Sequence, residues 1–115
     1  MIVAITTHPF GASDPAPVQA LRDAGHEVRL NPHGRKMNAA ELQAFLHDAD
    51  AIIAGTDRLT PAVLRHASRV QIIARLGIGL DGIDWPTVQQ RDIRVTYTPD
   101  GPTIAVAELA LALML

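Results

Sequence analysis

The chain has 115 residues, 48% hydrophobic and 19% charged, which is enough for one domain with a real core and excludes compositional disorder. Ten basic against twelve acidic residues, a net charge of -2 and 3% aromatics (Phe10, Phe45, Trp85 and Tyr97) argue against a nucleic-acid face or a base-stacking platform. Cysteine is absent, so disulfides, zinc-thiolate sites and cysteine nucleophiles are excluded, and a reducing, cytoplasmic setting is compatible.

The elements alternate along the chain. Residues 1–6 form a short apolar run that predicts a buried strand; it carries no basic n-region of a secretory signal. A Gly/Ser/Asp/Pro loop over 8–17 leads to a helix over about 15–24, with Val18 and Leu21 on one face and Gly25 as its stop. Residues 27–30 predict a second strand. Asn38 with Glu41 three positions on predicts a capping box, and Leu42, Phe45 and Leu46 have helical spacing. Residues 51–54 predict a third strand. Thr60-Pro61 predicts an N-cap with proline at the first helical position, and the helix runs to about Ala67. A fourth strand is expected over 70–74. Asp84 and Pro86 open another short helix ending near Arg91, with Asp92 in a left-handed cap. A fifth strand is expected over 93–97, and Thr103 then caps a long apolar helix to Leu115. That last stretch is too short to span a bilayer and contains Glu108, so no membrane partner is expected.

Near-continuous apolar strands alternating with helices predict an α/β fold with a doubly wound, flavodoxin-like, five-stranded parallel sheet, followed by a long apolar inter-domain helix. Functional groups in such a sheet gather at the carboxyl ends of the strands. The expected domain division is 1–102, then a linking helix over 103–115.

Gly77-Ile78-Gly79-Leu80-Asp81-Gly82 matches the G-x-G-x-x-G dinucleotide pattern by letter, after a strand and before a helix. A true dinucleotide loop starts its helix within the glycines, so that free N–H groups cradle the pyrophosphate. Here Asp84 and Pro86 delay the helix, and Asp81 and Asp84 bring carboxylates toward a would-be dianion. Glycines flanking Ile78, with Arg75 just before them, instead suit a small anion such as a carboxylate. A plain strand-to-helix turn remains the alternative.

Other chemistries fit poorly. The five histidines have no helical metal-ligand spacing, so no metal is expected. Asp57 after the third strand occupies the position of a receiver-domain phospho-acceptor, but Thr6-Thr7-His8 and Thr98-Pro99 replace the acidic pair and lysine which that chemistry needs. Gly11-Ala12-Ser13 lacks the glycine spacing of a hydrolase elbow.

Three blocks, taken together, resemble a known family: Ala74-Arg75-Leu76-Gly77-Ile78-Gly79-Leu80-Asp81-Gly82-Ile83-Asp84, then Val95-Thr96-Tyr97-Thr98-Pro99, then Ala105-Val106-Ala107-Glu108-Leu109. In order and spacing they resemble the NAD-dependent D-2-hydroxyacid dehydrogenases, most of all the phosphoglycerate dehydrogenase branch. The resemblance implies an oxidoreductase passing hydride between NAD(H) and a D-2-hydroxy acid or 2-oxo acid. It implies that this chain is the N-terminal substrate-domain portion, that the catalytic residues and the Rossmann cofactor domain lie elsewhere, and that the chain alone is inactive. It places the substrate carboxylate near Ile78 and Gly79, with Arg75, Gly55 and Thr56 also facing substrate. It places Thr103 and Val106 toward the nicotinamide. It implies a homodimer in the parent protein, and the apolar 103–115 segment predicts self-association of the piece. Two departures leave the substrate open: phosphoglycerate dehydrogenases usually carry arginine where Gly55 stands, with Arg58 the nearest substitute, and many members carry asparagine at Pro102. A free-standing anion-binding or regulatory α/β module is the alternative reading.

Overall fold

The computed structural model describes residues 1–7, 16–55, 57–76 and 82–98, with backbone only at 76, 97 and 98. The expected long apolar helix and the 103–115 division lie outside the described residues. Nine elements follow one another: β1 (Ile2–Ile5), α1 (Ala16–Asp23), β2 (Glu27–Leu30), α2 (Ala39–Leu46), β3 (Ala51–Ala54), α3 (Pro61–His66), β4 (Ile72–Leu76), α4 (Trp85–Gln90) and β5 (Arg94–Thr98). The strands pair in the order β2-β1-β3-β4-β5, all in parallel. The chain reverses direction beside β1, which is the switch point of a flavodoxin-like sheet.

Side-chain alternation sends each strand to two cores. Ile52 and Ala54 of β3 join Leu42 and Leu46 of α2, Val63 and Leu64 of α3 and Val88 of α4. Ala51 and Ile53 face the other way, with Val3, Ile5, Ile72 and Ala74 against Val18 and Leu21 of α1. β3 is therefore buried on both faces, which is why it reads as four apolar residues without alternation.

The helix ends follow local chemistry. Asn38 Oδ1 accepts from Glu41 N–H (2.9 Å) while Asn38 N–H donates back to Glu41 Oε1 (3.0 Å). Arg35 grips the same carboxylate with both terminal nitrogens at 2.8 Å, and Arg35 beside Glu41 holds its pKa down from 4.5 to about 2. Thr60 and Asp84 cap α3 and α4, each followed by proline in the first turn. Gly25, at φ 91°, ends α1 with its N–H donating to Arg22 O and the next N–H to Leu21 O. Asp92, at φ 55°, does the same for α4, with Ile93 N–H reaching Val88 O (3.0 Å).

Two strand positions differ from expectation. β4 is Ile72–Leu76, two residues later than 70–74, because Val70 N–H still donates to Ala67 O and closes the exit of α3. β5 is Arg94–Thr98, one residue later than 93–97, because Ile93 is spent on the α4 cap. The shift brings Arg75 into β4, opposite Ala54 and Tyr97.

Ile52 is fully buried at the centre of the sheet. Ile52→Ala should lower the unfolding free energy by about 2–5 kcal/mol in urea titrations. The Glu41 carboxylate has a depressed folded pKa, so its stabilisation is present above about pH 4.5 and fades as pH falls toward 2. Thermal melts of Glu41→Gln should fall below wild type at pH 7 and converge with it near pH 2.

Candidate functional site

The carboxyl ends of β1, β3 and β4 converge at one edge of the sheet. β1 leads into Thr6 and Thr7, β3 into Gly55, Asp57 and Arg58, and β4 ends with Arg75 and Leu76. The loops after β3 and β4 are sewn together by a parallel bridge between Leu59 and Ile83. Leu59 N–H donates to Gly82 O (2.7 Å), and Asp84 N–H donates to Leu59 O (3.1 Å). This pairing fixes Gly82 beside the end of β4.

Arg75 is the central group. It is only 7% exposed, yet among the described residues Nε and Nη1 have no hydrogen-bond partner. Among the described residues it takes part in no ion pair. A desolvated guanidinium with free donors is costly, and a bound anion removes that cost.

Gly82 makes the corner possible. A Cβ there would lie 2.7 Å from Asp57 O and 3.2 Å from Arg75 Nη1, so the loop approaches the guanidinium only as glycine. Gly55 is under the same constraint: a Cβ would sit 2.6 Å from Thr7 Oγ1. An arginine at 55 therefore requires Thr7 to move. Thr7 Oγ1 is itself buried without a partner among the described residues, a third such polar atom at this edge.

Asp57 is 2% exposed, and its Oδ2 accepts a hydrogen bond from Thr6 Oγ1 (2.5 Å). Asp84 Oδ2 accepts from Thr87 N–H (3.2 Å) and Thr87 Oγ1 (2.5 Å). A carboxylate thus occupies the start of α4, where a dinucleotide loop would present open N–H groups.

Of the residues singled out by sequence, Gly55 follows the end of β3 and Arg75 lies on the adjoining strand β4, opposite Ala54. Thr56, Ile78, Gly79, Thr103 and Val106 lie outside the described residues. Thr6, Thr7, Asp57 and Gly82 were not foreseen as parts of one corner; Gly82 was signalled by the glycine pattern and Asp57 as an acid after the third strand, Thr6 and Thr7 only by their position at the end of an apolar strand. No group of three or more His, Asp or Glu among the described residues is placed to hold a metal. The cavity of about 320 Å³ beside Met1, Gln71, Arg91 and Arg94 lies at the opposite, amino edge.

The chain is 36% identical over 80 residues to the D-3-phosphoglycerate dehydrogenase of Synechocystis sp., covering 69% of this chain and 14% of that protein. It is 30% identical over 104 residues to the hydroxypyruvate reductase of Thermotoga maritima, covering 90% and 34%. The NAD+-bound 3-phosphoglycerate dehydrogenase of Entamoeba histolytica superposes with a TM-score of 0.74 at 27% identity, over 86% of this chain and 33% of that one. The chain spans 14% and 34% of the length of these two curated relatives. The family model for the catalytic domain of D-isomer specific 2-hydroxyacid dehydrogenases matches residues 3–112, and the chain belongs to that family.

Proposed function

We propose that this chain is the substrate-holding part of an oxidoreductase that moves a hydride between NAD(H) and C2 of a small D-2-hydroxy acid or 2-oxo acid. The observation that carries the reading is the buried, unpaired guanidinium of Arg75 at the carboxyl edge of the sheet. A carboxylate supplies the opposite charge and the acceptor oxygens that these unpartnered N–H groups lack. Held there, it places C2 one bond away from a fixed point. The family and the NAD+-bound neighbour support the hydride chemistry.

The described residues do not themselves fit a dinucleotide. The start of α4 is filled by the Asp84 carboxylate, and α4 has six residues. We therefore assign cofactor binding to the part of the relatives beyond the matched span. In this reading residues 1–102 form one wall of the cleft, and 103–115 lead toward the cofactor, with Thr103 and Val106 on the nicotinamide side. Ile78 and Gly79 complete the carboxylate cradle, while Gly55 and Thr56 line its far side. A homodimer of the full-length protein belongs to the same proposal, as does self-association through 103–115. So does a cytoplasmic site of action without nucleic-acid or membrane partners. Support for that comes from the near-neutral charge and the absence of cysteine; no described helix is long and apolar enough to cross a membrane.

Isothermal titration with pyruvate tests the core of the proposal. Arg75→Gln should weaken binding at least about tenfold, and Arg75→Lys, which keeps charge but loses the fork, should fall between. Equal affinity of wild type and Arg75→Gln would refute the assignment.

A further inference from the structure

We propose that the cavity at the amino edge of the sheet is a second anion site, separate from Arg75, and that it takes a phosphate group, free or carried on a small ester.

The cavity, about 320 Å³, lies between the start of β4 and the turn from α4 into β5. Val70, Gln71 and Ile72 line one side, and Arg91, Asp92 and Arg94 line the other. Local geometry brings the two arginines to one wall. Arg91 caps α4, Asp92 takes the left-handed turn at φ 55°, and Arg94 opens β5 opposite Ile72. The backbone on both sides is fixed: Gln71 N–H donates to Asp50 O (2.9 Å), and Arg94 N–H donates to Gln71 O (3.0 Å). Val70 and Ile72 are buried, so the facing wall is part of the core.

A guanidinium keeps its positive charge at any pH at which a protein is folded. Among the described residues no ion pair engages Arg91 or Arg94, whereas Arg69, next in the chain to Val70, pairs with Asp50. Arg91 donates through Nη1 to Leu64 O (2.5 Å) and through Nη2 to Ala67 O (2.8 Å). Those bonds orient its plane, but the acceptors are neutral carbonyls. Arg94 is exposed and can turn onto a ligand without breaking an ion pair.

The opposing effect is the carbonyl ends of the helices, which gather at this edge and disfavour anions. Here those carbonyls are answered from within the chain. Arg91 takes Leu64 O and Ala67 O, while the N–H groups of Arg91, Asp92 and Ile93 take Thr87 O, Gln89 O and Val88 O. A phosphate ester carries a charge of about -1.5 to -2 and accepts on several oxygens, which suits two guanidinium groups on one wall; a lone carboxylate suits one.

NMR titrations of the ¹⁵N-labelled chain at constant ionic strength test this, with inorganic phosphate in one arm and glycerol 3-phosphate in the other. Saturable amide shifts at Gln71, Asp92 and Arg94 are expected. Saturation by both assigns the phosphate group itself, saturation by the ester alone assigns a phosphorylated molecule, and saturation by inorganic phosphate alone assigns the free ion. Arg94→Gln, a change at an exposed side chain, should weaken binding about three- to fivefold. Asp92→Asn keeps a residue that tolerates the left-handed turn and removes the acidic side chain from the cavity; it should tighten binding. Arg75→Gln should leave the amino-edge shifts as they are. Shifts that are absent, or that rise without saturating in both arms, overturn the proposal whatever the variants do. So does an unchanged affinity in Arg94→Gln, and loss of the amino-edge shifts in folded Arg75→Gln shows that the two sites are not separate.

Discussion

A guanidinium withdrawn from water must be answered by an acceptor, and Arg75 has two nitrogens without one. The rest of the carboxyl edge is arranged around that deficit. Gly82 is small enough to pass against Nη1, and the Leu59–Ile83 bridge holds it there. At the same edge the buried Asp57 carboxylate accepts a hydrogen bond from Thr6 Oγ1. On the proposed reading, the unpaired state is that of a site that takes an anion from outside the chain.

The sheet supplies the rigidity for this. β3 and β4 lie in the centre, buried by helices from both faces, and their register sets Arg75 opposite Ala54. The amino edge is secured separately. Asp50 Oδ2 accepts from Ile2 N–H (2.7 Å) and pairs through Oδ1 with Arg69 (3.1 Å), while Arg91 donates to Leu64 O and Ala67 O at the end of α3. Basic groups at that edge thus answer helix carbonyls and a strand terminus. The two ends of the strands use arginine for opposite purposes: closure at the amino edge, an open valence at the carboxyl edge.

Most of the fold was legible because its signals are local. Asn38 and Glu41, Thr60 and Pro61, Asp84 and Pro86, and Gly25 and Asp92 each fix a helix end within a few residues. The start of β4 was not, since Val70 is as apolar and buried as any strand residue while its N–H closes the preceding turn. Arg75 stood out as a charge beside a glycine loop. Its burial, and the reason for glycine at 55 and 82, depend on close approaches between separate loops. The Thr6–Asp57 contact joins residues 51 positions apart, and no local pattern announces it. Membership of the D-isomer specific 2-hydroxyacid dehydrogenase family was carried by three blocks read together, where the glycine pattern alone pointed toward a dinucleotide.

The most direct measurement follows the Arg75 side chain itself. In ¹⁵N-arginine-labelled protein, the Arg75 Nε–H resonance should shift saturably and exchange more slowly with water as pyruvate is added. A resonance that stays unmoved while pyruvate saturates the protein would show that this guanidinium does not hold the acid.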